Sequence, residues 1–118
     1  MLLQLNKTAT RLAEAMYITF QPLHTASWQM DKLSSWVDPL DVADGASKGL
    51  HCVNRAVAFL DKTGSSPSKV YLESPDAALL KWDSPLPFPT PLYRQPDLSL
   101  GAHMMLFNNI WNTNYPFW

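Results

Sequence analysis

Five prolines of this chain fall inside one stretch, Ser84 to Pro96, which reads SPLPFPTPLYRQP. Four of them, Pro85, Pro87, Pro89 and Pro91, recur at every second residue. Proline lacks an amide hydrogen and holds φ near one value, so the segment can neither continue a helix nor sit centrally in a sheet. It should run as an extended, polyproline-like strap over a surface. The every-second spacing contains no P-x-x-P, so the prolines do not line one edge of a three-fold helix, as an SH3-type ligand requires. A structural strap is therefore expected. The chain has ten prolines in 118 residues, which leans the whole towards sheet and irregular structure.

The segments between the prolines mostly read as strands. Arg11 to Phe20 (RLAEAMYITF) begins with helix formers and ends with strand formers. The strand reading is preferred, with Leu12, Glu14, Met16, Ile18 and Phe20 on one face. A strand WQMDKL follows, then Ser34-Ser35 and Trp36-Val37, with turns at Asp38-Pro39-Leu40-Asp41 and Asp44-Gly45. Gly49–Val53 and Arg55–Leu60 read as two strands, or as one strand bent around Asn54. The unbroken apolar run Ala56–Leu60 fits a strand buried on both faces or a short helix. Asp61 to Ser68 is a loop by composition. Lys69–Ser74 and Ala77–Trp82 look like a hairpin pair around Pro75-Asp76. Leu3-Gln4-Leu5 looks like a strand end. Leu98 to Trp111 alternates as a strand embedded in a sheet does. The expectation is one all-β domain over residues 1–118, an antiparallel β-sandwich with a proline-rich strap.

Charge and composition remove several function classes. Nine Lys and Arg against ten Asp and Glu leave a net charge of -1, with no basic cluster to replace phosphate counterions. A nucleic-acid partner is not expected. The single cysteine, Cys52, excludes an internal disulfide and a multi-cysteine metal site. The start Met1–Leu5 lacks a basic region and a long apolar run, so it does not read as a signal peptide. No segment reaches the roughly 20 apolar residues that span a bilayer. A soluble protein is expected, with its compartment open. Asn6-Lys7-Thr8 matches the N-x-[ST] acceptor, so Asn6 is a candidate for glycosylation if the chain is secreted.

Few residues assemble a chemistry. His24, His51 and His103 have no metal-ligand spacing, and Asp38, Asp41 and Asp44 lack the two-residue spacing and distal Glu of a calcium loop. Glu14, Glu73 and Asp76 offer no spacing that fixes a glycosidase carboxylate pair. Ser99 and His103 come without a third group. The aromatics are more suggestive: Trp28, Trp36, Trp82, Trp111 and Trp118 with Tyr93 and Tyr115. Asn108, Asn109, Asn112 and Asn114, interleaved with Trp111 and Tyr115, suit a carbohydrate site of stacked rings and hydrogen-bonding amides. The same aromatics suit a core or an interdomain seam, and the seam is preferred.

A family resemblance rests on an ordered set of blocks: LNKTATRLAEAMYITFQP, WQMDKLSSWVDPLDV, YLESPDAALLKW, PFPTPLY and LFNNIWNTNYPFW. Together they resemble the C-terminal β region of a family of unknown-function proteins similar to glycoside hydrolase family 38, the α-mannosidases. The blocks WVDPLDV and NNIWNTNYP are the most specific. The family pattern prefers Pro where Ala13 stands and Gly where Asn112 stands, and Gly49 to Leu60 matches only loosely. The resemblance implies a fragment of a galactose-mutarotase-like supersandwich, a non-catalytic part that packs against a catalytic domain. Zinc, an Asp nucleophile and an acid/base carboxylate would belong to that catalytic domain; no position here matches their motifs, so no catalytic or metal residue and no cofactor is assigned to this chain. The alternative is a free-standing carbohydrate-binding module. Unpaired edges and the Phe117-Trp118 terminus also lead to an expectation of self-association. The stretch Gly101 to Trp118 then reads as an interior strand and turn of a larger sheet-rich domain.

Overall fold

The computed structural model describes residues 5–8, 12, 14–23, 27–61, 66–86 and 91–108. They form eight strands: β1 (Ala15–Phe20), β2 (Ser27–Lys32), β3 (Ser35–Val37), β4 (Leu50–Cys52), β5 (Ala56–Asp61), β6 (Ser68–Glu73), β7 (Leu79–Lys81) and β8 (Ala102–Asn108). A single 3-10 turn, Leu98–Leu100, precedes β8. The strands make two antiparallel four-stranded sheets, ordered β1-β8-β7-β4 and β3-β2-β5-β6. The all-β, sandwich-like reading of the sequence is correct.

The core lies between the sheets. Trp28, Met30 and Val57 come from one sheet, and Leu80, Ala102 and Met104 from the other. Trp82, directly after β7, completes the core and is fully buried. Burying both indoles requires a partner for each N–H. Trp28 Nε1 donates to the Leu98 carbonyl at 3.2 Å, and Trp82 Nε1 lies 3.4 Å from Met30 Sδ.

Several expectations change in the tertiary structure. Lys69–Ser74 and Ala77–Trp82 do not form a hairpin: β6 pairs with β5, whereas β7 pairs with β4 and β8 in the other sheet. The Ser74–Ala77 turn, closed by Ala77 N to Ser74 O at 3.3 Å and Ser74 Oγ to Ala77 O at 3.1 Å, carries the chain between layers. Val53-Asn54-Arg55 makes a second crossing, so β4 and β5 are separate strands of different sheets. Of the common face expected for Leu12 to Phe20, Ile18 and Phe20 pack on the core, while Leu12 and Met16 are exposed. The ladder beside them is interrupted by a bulge whose extra residue, Leu106, belongs to β8, so that Met16 pairs with Phe107 and Tyr17 with Met105.

The loop expected over Asp61–Ser68 is shorter at both ends, because Asp61 and Ser68 pair as the last rung of β5 and β6; residues 62–65 lie outside the described ones. Leu5 is not in a strand, and Leu98–Leu100 is a 3-10 turn instead of strand. β8 does lie inside its sheet, between β1 and β7. The turns at Asp38 and Gly45 form as read: Asp41 N donates to Asp38 O at 3.0 Å, and Gly45 takes φ 80°.

Candidate functional site

Two surfaces gather polar and aromatic side chains, one on the outside of each sheet. The first is built by strand alternation, which sends successive side chains to opposite faces. In β2 and β5, Trp28, Met30, Val57 and Phe59 face the core. Gln29 and Ala58 are paired in the register between them, so they face outward. The same register puts Tyr71, opposite Ala58, on the outer face, together with Lys69 and Glu73. Trp36 joins them from β3, opposite Asp31.

Trp36 and Tyr71 sit on the two edge strands of this sheet, about 14 Å apart by strand spacing. Their rings nevertheless meet edge to face, with centroids 5.6 Å apart. Each side chain reaches over the central strands, and the small Ala58 beneath them is fully buried on an otherwise open face. Lys69 Nζ lies 4.2 Å from the Trp36 ring centroid and 5.3 Å from that of Tyr71. A cation over an aromatic face is attracted by the ring quadrupole, so Lys69 bridges the two rings. Trp36 keeps 40% of its surface exposed and Tyr71 53%. Asn54 stands beside this face, its Nδ2 donating to Asp31 Oδ2 at 3.3 Å.

The second surface lies outside the β1-β8-β7-β4 sheet. Thr19, His103 and Lys81 form one cross-strand row there. Tyr17 Oη donates to the Leu86 carbonyl at 3.1 Å, and Lys81 Nζ donates to the same oxygen at 2.8 Å. Farther along, Lys48 N donates to Leu92 O at 2.6 Å and Leu92 N to Ser47 Oγ at 3.3 Å. These contacts hold the described flanks of the proline-rich segment; residues 87–90 lie outside the described ones. Arg94 clasps Asp83 with two nitrogens, each 2.8 Å from a carboxylate oxygen.

This surface also carries the shifted titrations. The Arg94 guanidinium, and then the Asp97 amide, hold the Asp83 carboxyl below the usual carboxylate range. Burial lowers Lys81, partly offset by Asp83, and burial likewise lowers His103. Thr19 Oγ1 meets His103 Nδ1 at 2.8 Å, while His103 Nε2 is buried without a hydrogen-bond partner. A cleft of about 210 Å³ runs beside these groups, lined by Gly49, Lys81, Asp83, Ser84, Leu92 and Arg94. That is below the 300–1,000 Å³ usual for small-molecule sites. Its charged groups mainly engage one another and the backbone on the described flanks, residues 83–86 and 91–97.

The residues picked out by sequence scatter. Trp28 and Trp82 are core. Asn108 is exposed at the end of β8, its Nδ2 3.0 Å from Met105 Sδ. Asn109, Trp111, Asn112, Asn114 and Tyr115, the remainder of the expected carbohydrate set, lie outside the described residues, as do His24 and Trp118. Asn6 is exposed with φ 57°, within residues 5–8, which carry no regular structure. Glu14 pairs with Lys7, and Glu73 approaches Arg55 at 3.9 Å. Ser99 Oγ donates to Asp97 at 2.6 Å and not to His103.

Among the described residues, no group of three or more His, Cys, Asp or Glu comes together to hold a metal ion. The donor set that zinc requires is thus not formed by them. No helix among them is long and apolar enough to cross a membrane. Sequence reasoning did not single out Tyr71 or Lys69. The alternation of Lys69, Tyr71 and Glu73 was a usable signal, but the partner across the sheet comes only from register. Comparison of the chain with protein-family models, curated proteins and solved structures gives no match.

Proposed function

We propose that this chain is a non-catalytic β-sandwich module of the α-mannosidase-like kind, which acts by packing the outer face of its β3-β2-β5-β6 sheet against a catalytic domain. The observation that supports this is the joined Trp36–Tyr71 surface, half-exposed on a sheet face. Tryptophan and tyrosine are enriched at interface hot spots because they bury much apolar area with few rotamers to lose. Lys69 bridges the two rings before contact, which lowers the entropy lost on association. In this arrangement the reacting carboxylates and the metal belong to the partner, and this chain supplies a preformed wall.

The test is to mix the chain with an α-mannosidase-like catalytic domain lacking its own β region and to measure complex formation by calorimetry. Trp36→Ala with Tyr71→Ala should weaken the complex roughly thirtyfold or more, as hot-spot truncations do. Absence of a complex, or one indifferent to both substitutions, sinks the reading.

A second reading is favoured by the polar residues beside the rings. Gln29, Asp31 and Asn54 place amides and a carboxylate next to the exposed aromatics. Such a surface suits a sugar, whose apolar face stacks on a ring while its hydroxyls find polar partners. Titration of tryptophan fluorescence with mannosides separates the two: a saturable change lost in Trp36→Ala supports carbohydrate binding, and a flat response removes it.

A further inference from the structure

We propose that β6 is the seam of a symmetric dimer, in which two copies pair antiparallel along Ser68–Glu73 and join their β3-β2-β5-β6 sheets into one continuous sheet. An edge strand offers unpaired N–H and C=O groups to another chain, and natural proteins blunt edges that must stay free. Among the described residues the edges are β1, β4, β3 and β6. β3 and β4 have three residues each, too few to template a stable pairing. β1 lies against a bulge in β8, where Leu106 is the extra residue, so the ladder along β1 is interrupted between Met16 and Tyr17 and its edge is not regular. β6 is different: it pairs with β5 over six residues with no register shift, leaving a straight edge.

The sequence of β6 is complementary to itself in one register. A two-fold axis through Tyr71 sets Lys69 opposite Glu73 of the second copy, and Glu73 opposite its Lys69. The same axis sets Val70 against Leu72 on the core-facing side. Lys69, Tyr71 and Glu73 share the outer face, so both ion pairs form on one side of the joined sheet. An axis at Val70 sets Lys69 opposite Tyr71, and an axis at Leu72 sets Glu73 opposite Tyr71; neither forms the charge pairs. Such isologous pairing is the commonest route to a closed assembly. Glu73 has room to take part: its side chain is 66% exposed, and its contact with Arg55 is long at 3.9 Å. Tyr71 and Val70 are exposed alongside it. The proposal does not depend on which partner the aromatic face takes.

Sedimentation of the 118-residue chain across about 1–100 µM reads the outcome directly. The natural sequence should form a dimer. Glu73→Lys and Lys69→Glu each oppose like charges at both ends of the seam and should weaken the dimer about tenfold or more. Mixing these two variants should produce a heterodimer, since each supplies the charges the other lacks. Lys69 also packs on Trp36 and Tyr71, so circular dichroism of each variant is recorded alongside. If Lys69→Glu fails to fold, Glu73→Lys, which leaves Lys69 and its aromatic contacts in place, still decides. A monomer throughout that range, variants that dimerise as tightly as the natural chain, or folded variants that do not pair when mixed overturn the proposal.

Discussion

Trp28 on β2 and Trp82 beyond β7 meet edge to face across the two sheets, with ring centroids 5.3 Å apart. Phe59 extends the contact from β5, 5.1 Å from Trp28. Edge-to-face pairs add to the burial of their area because the positive ring edge meets the negative face. This contact ties layers that share no backbone ladder. Trp82→Ala should remove about 3–5 kcal/mol of stability, as truncation of buried aromatics does. The midpoint of a urea transition measures it, and a loss under about 1 kcal/mol would contradict Trp82 as the joint between sheets.

Gly101 takes φ 89° where the chain enters β8, and a Cβ there would collide with the Phe20 carbonyl oxygen and Gln21 backbone. Both the left-handed backbone and the close approach demand glycine. Gly101→Ala is therefore expected to destabilise by more than about 1 kcal/mol, since backbone must shift to admit the methyl group. A melting temperature unchanged by the substitution would show that the turn is laxer than its geometry.

The hairpin between β2 and β3 turns at Leu33 and Ser34, with φ 49° and 68°. Two positive φ angles in a two-residue loop mark the primed turn that suits strand twist, and Asn-Gly is its preferred sequence. Leu33 is 95% exposed, so it gains nothing from packing in exchange for its strained backbone. Leu33→Asn with Ser34→Gly should stabilise the protein by roughly 0.5–1 kcal/mol. Chemical denaturation of the double variant checks it. A loss of stability would mean that this turn does not prefer the Asn-Gly geometry.

Burial lowers the pKa of both His51 and His103 from the ordinary 6.5. Each group is then protonated more readily in the unfolded chain than in the folded one, so the unfolded state binds more protons as pH falls through 6.5. Stability should therefore be fully present above that pH and decline below it, until the folded histidines also protonate. His51 Nε2 donates to Lys48 O, which opposes its shift in part, and the nearby Asp83 backbone likewise opposes that of His103. His103→Gln should flatten the decline between neutral and mildly acidic pH. Urea midpoints of the two proteins across that range provide the comparison, and parallel curves would exclude His103 as a source.

Much of the fold was legible in the residues. Alternation in WQMDK and AHMMLFN marked β2 and β8, and Asp38-Pro39 and Asp44-Gly45 marked turns whose chemistry is local. The Leu33-Ser34 turn was not visible, because neither residue advertises positive φ. The aromatic surface was half visible: Trp36 stood out as a tryptophan, while Tyr71 and Lys69 gained meaning only when register brought them to it.

The sequence by itself determined that this chain is built of strands, where proline forbids them, and which alternate positions are apolar. Those properties follow from single residues and their near neighbours. Only the tertiary structure decided that β6 and β7 part into different sheets, that Trp28 and Trp82 close the core, and that Trp36 and Tyr71 meet outside it. The physical reason is that strand pairing joins residues far apart in sequence. A strand's pattern says that one face is buried, but the choice among partners depends on the summed packing of all the others.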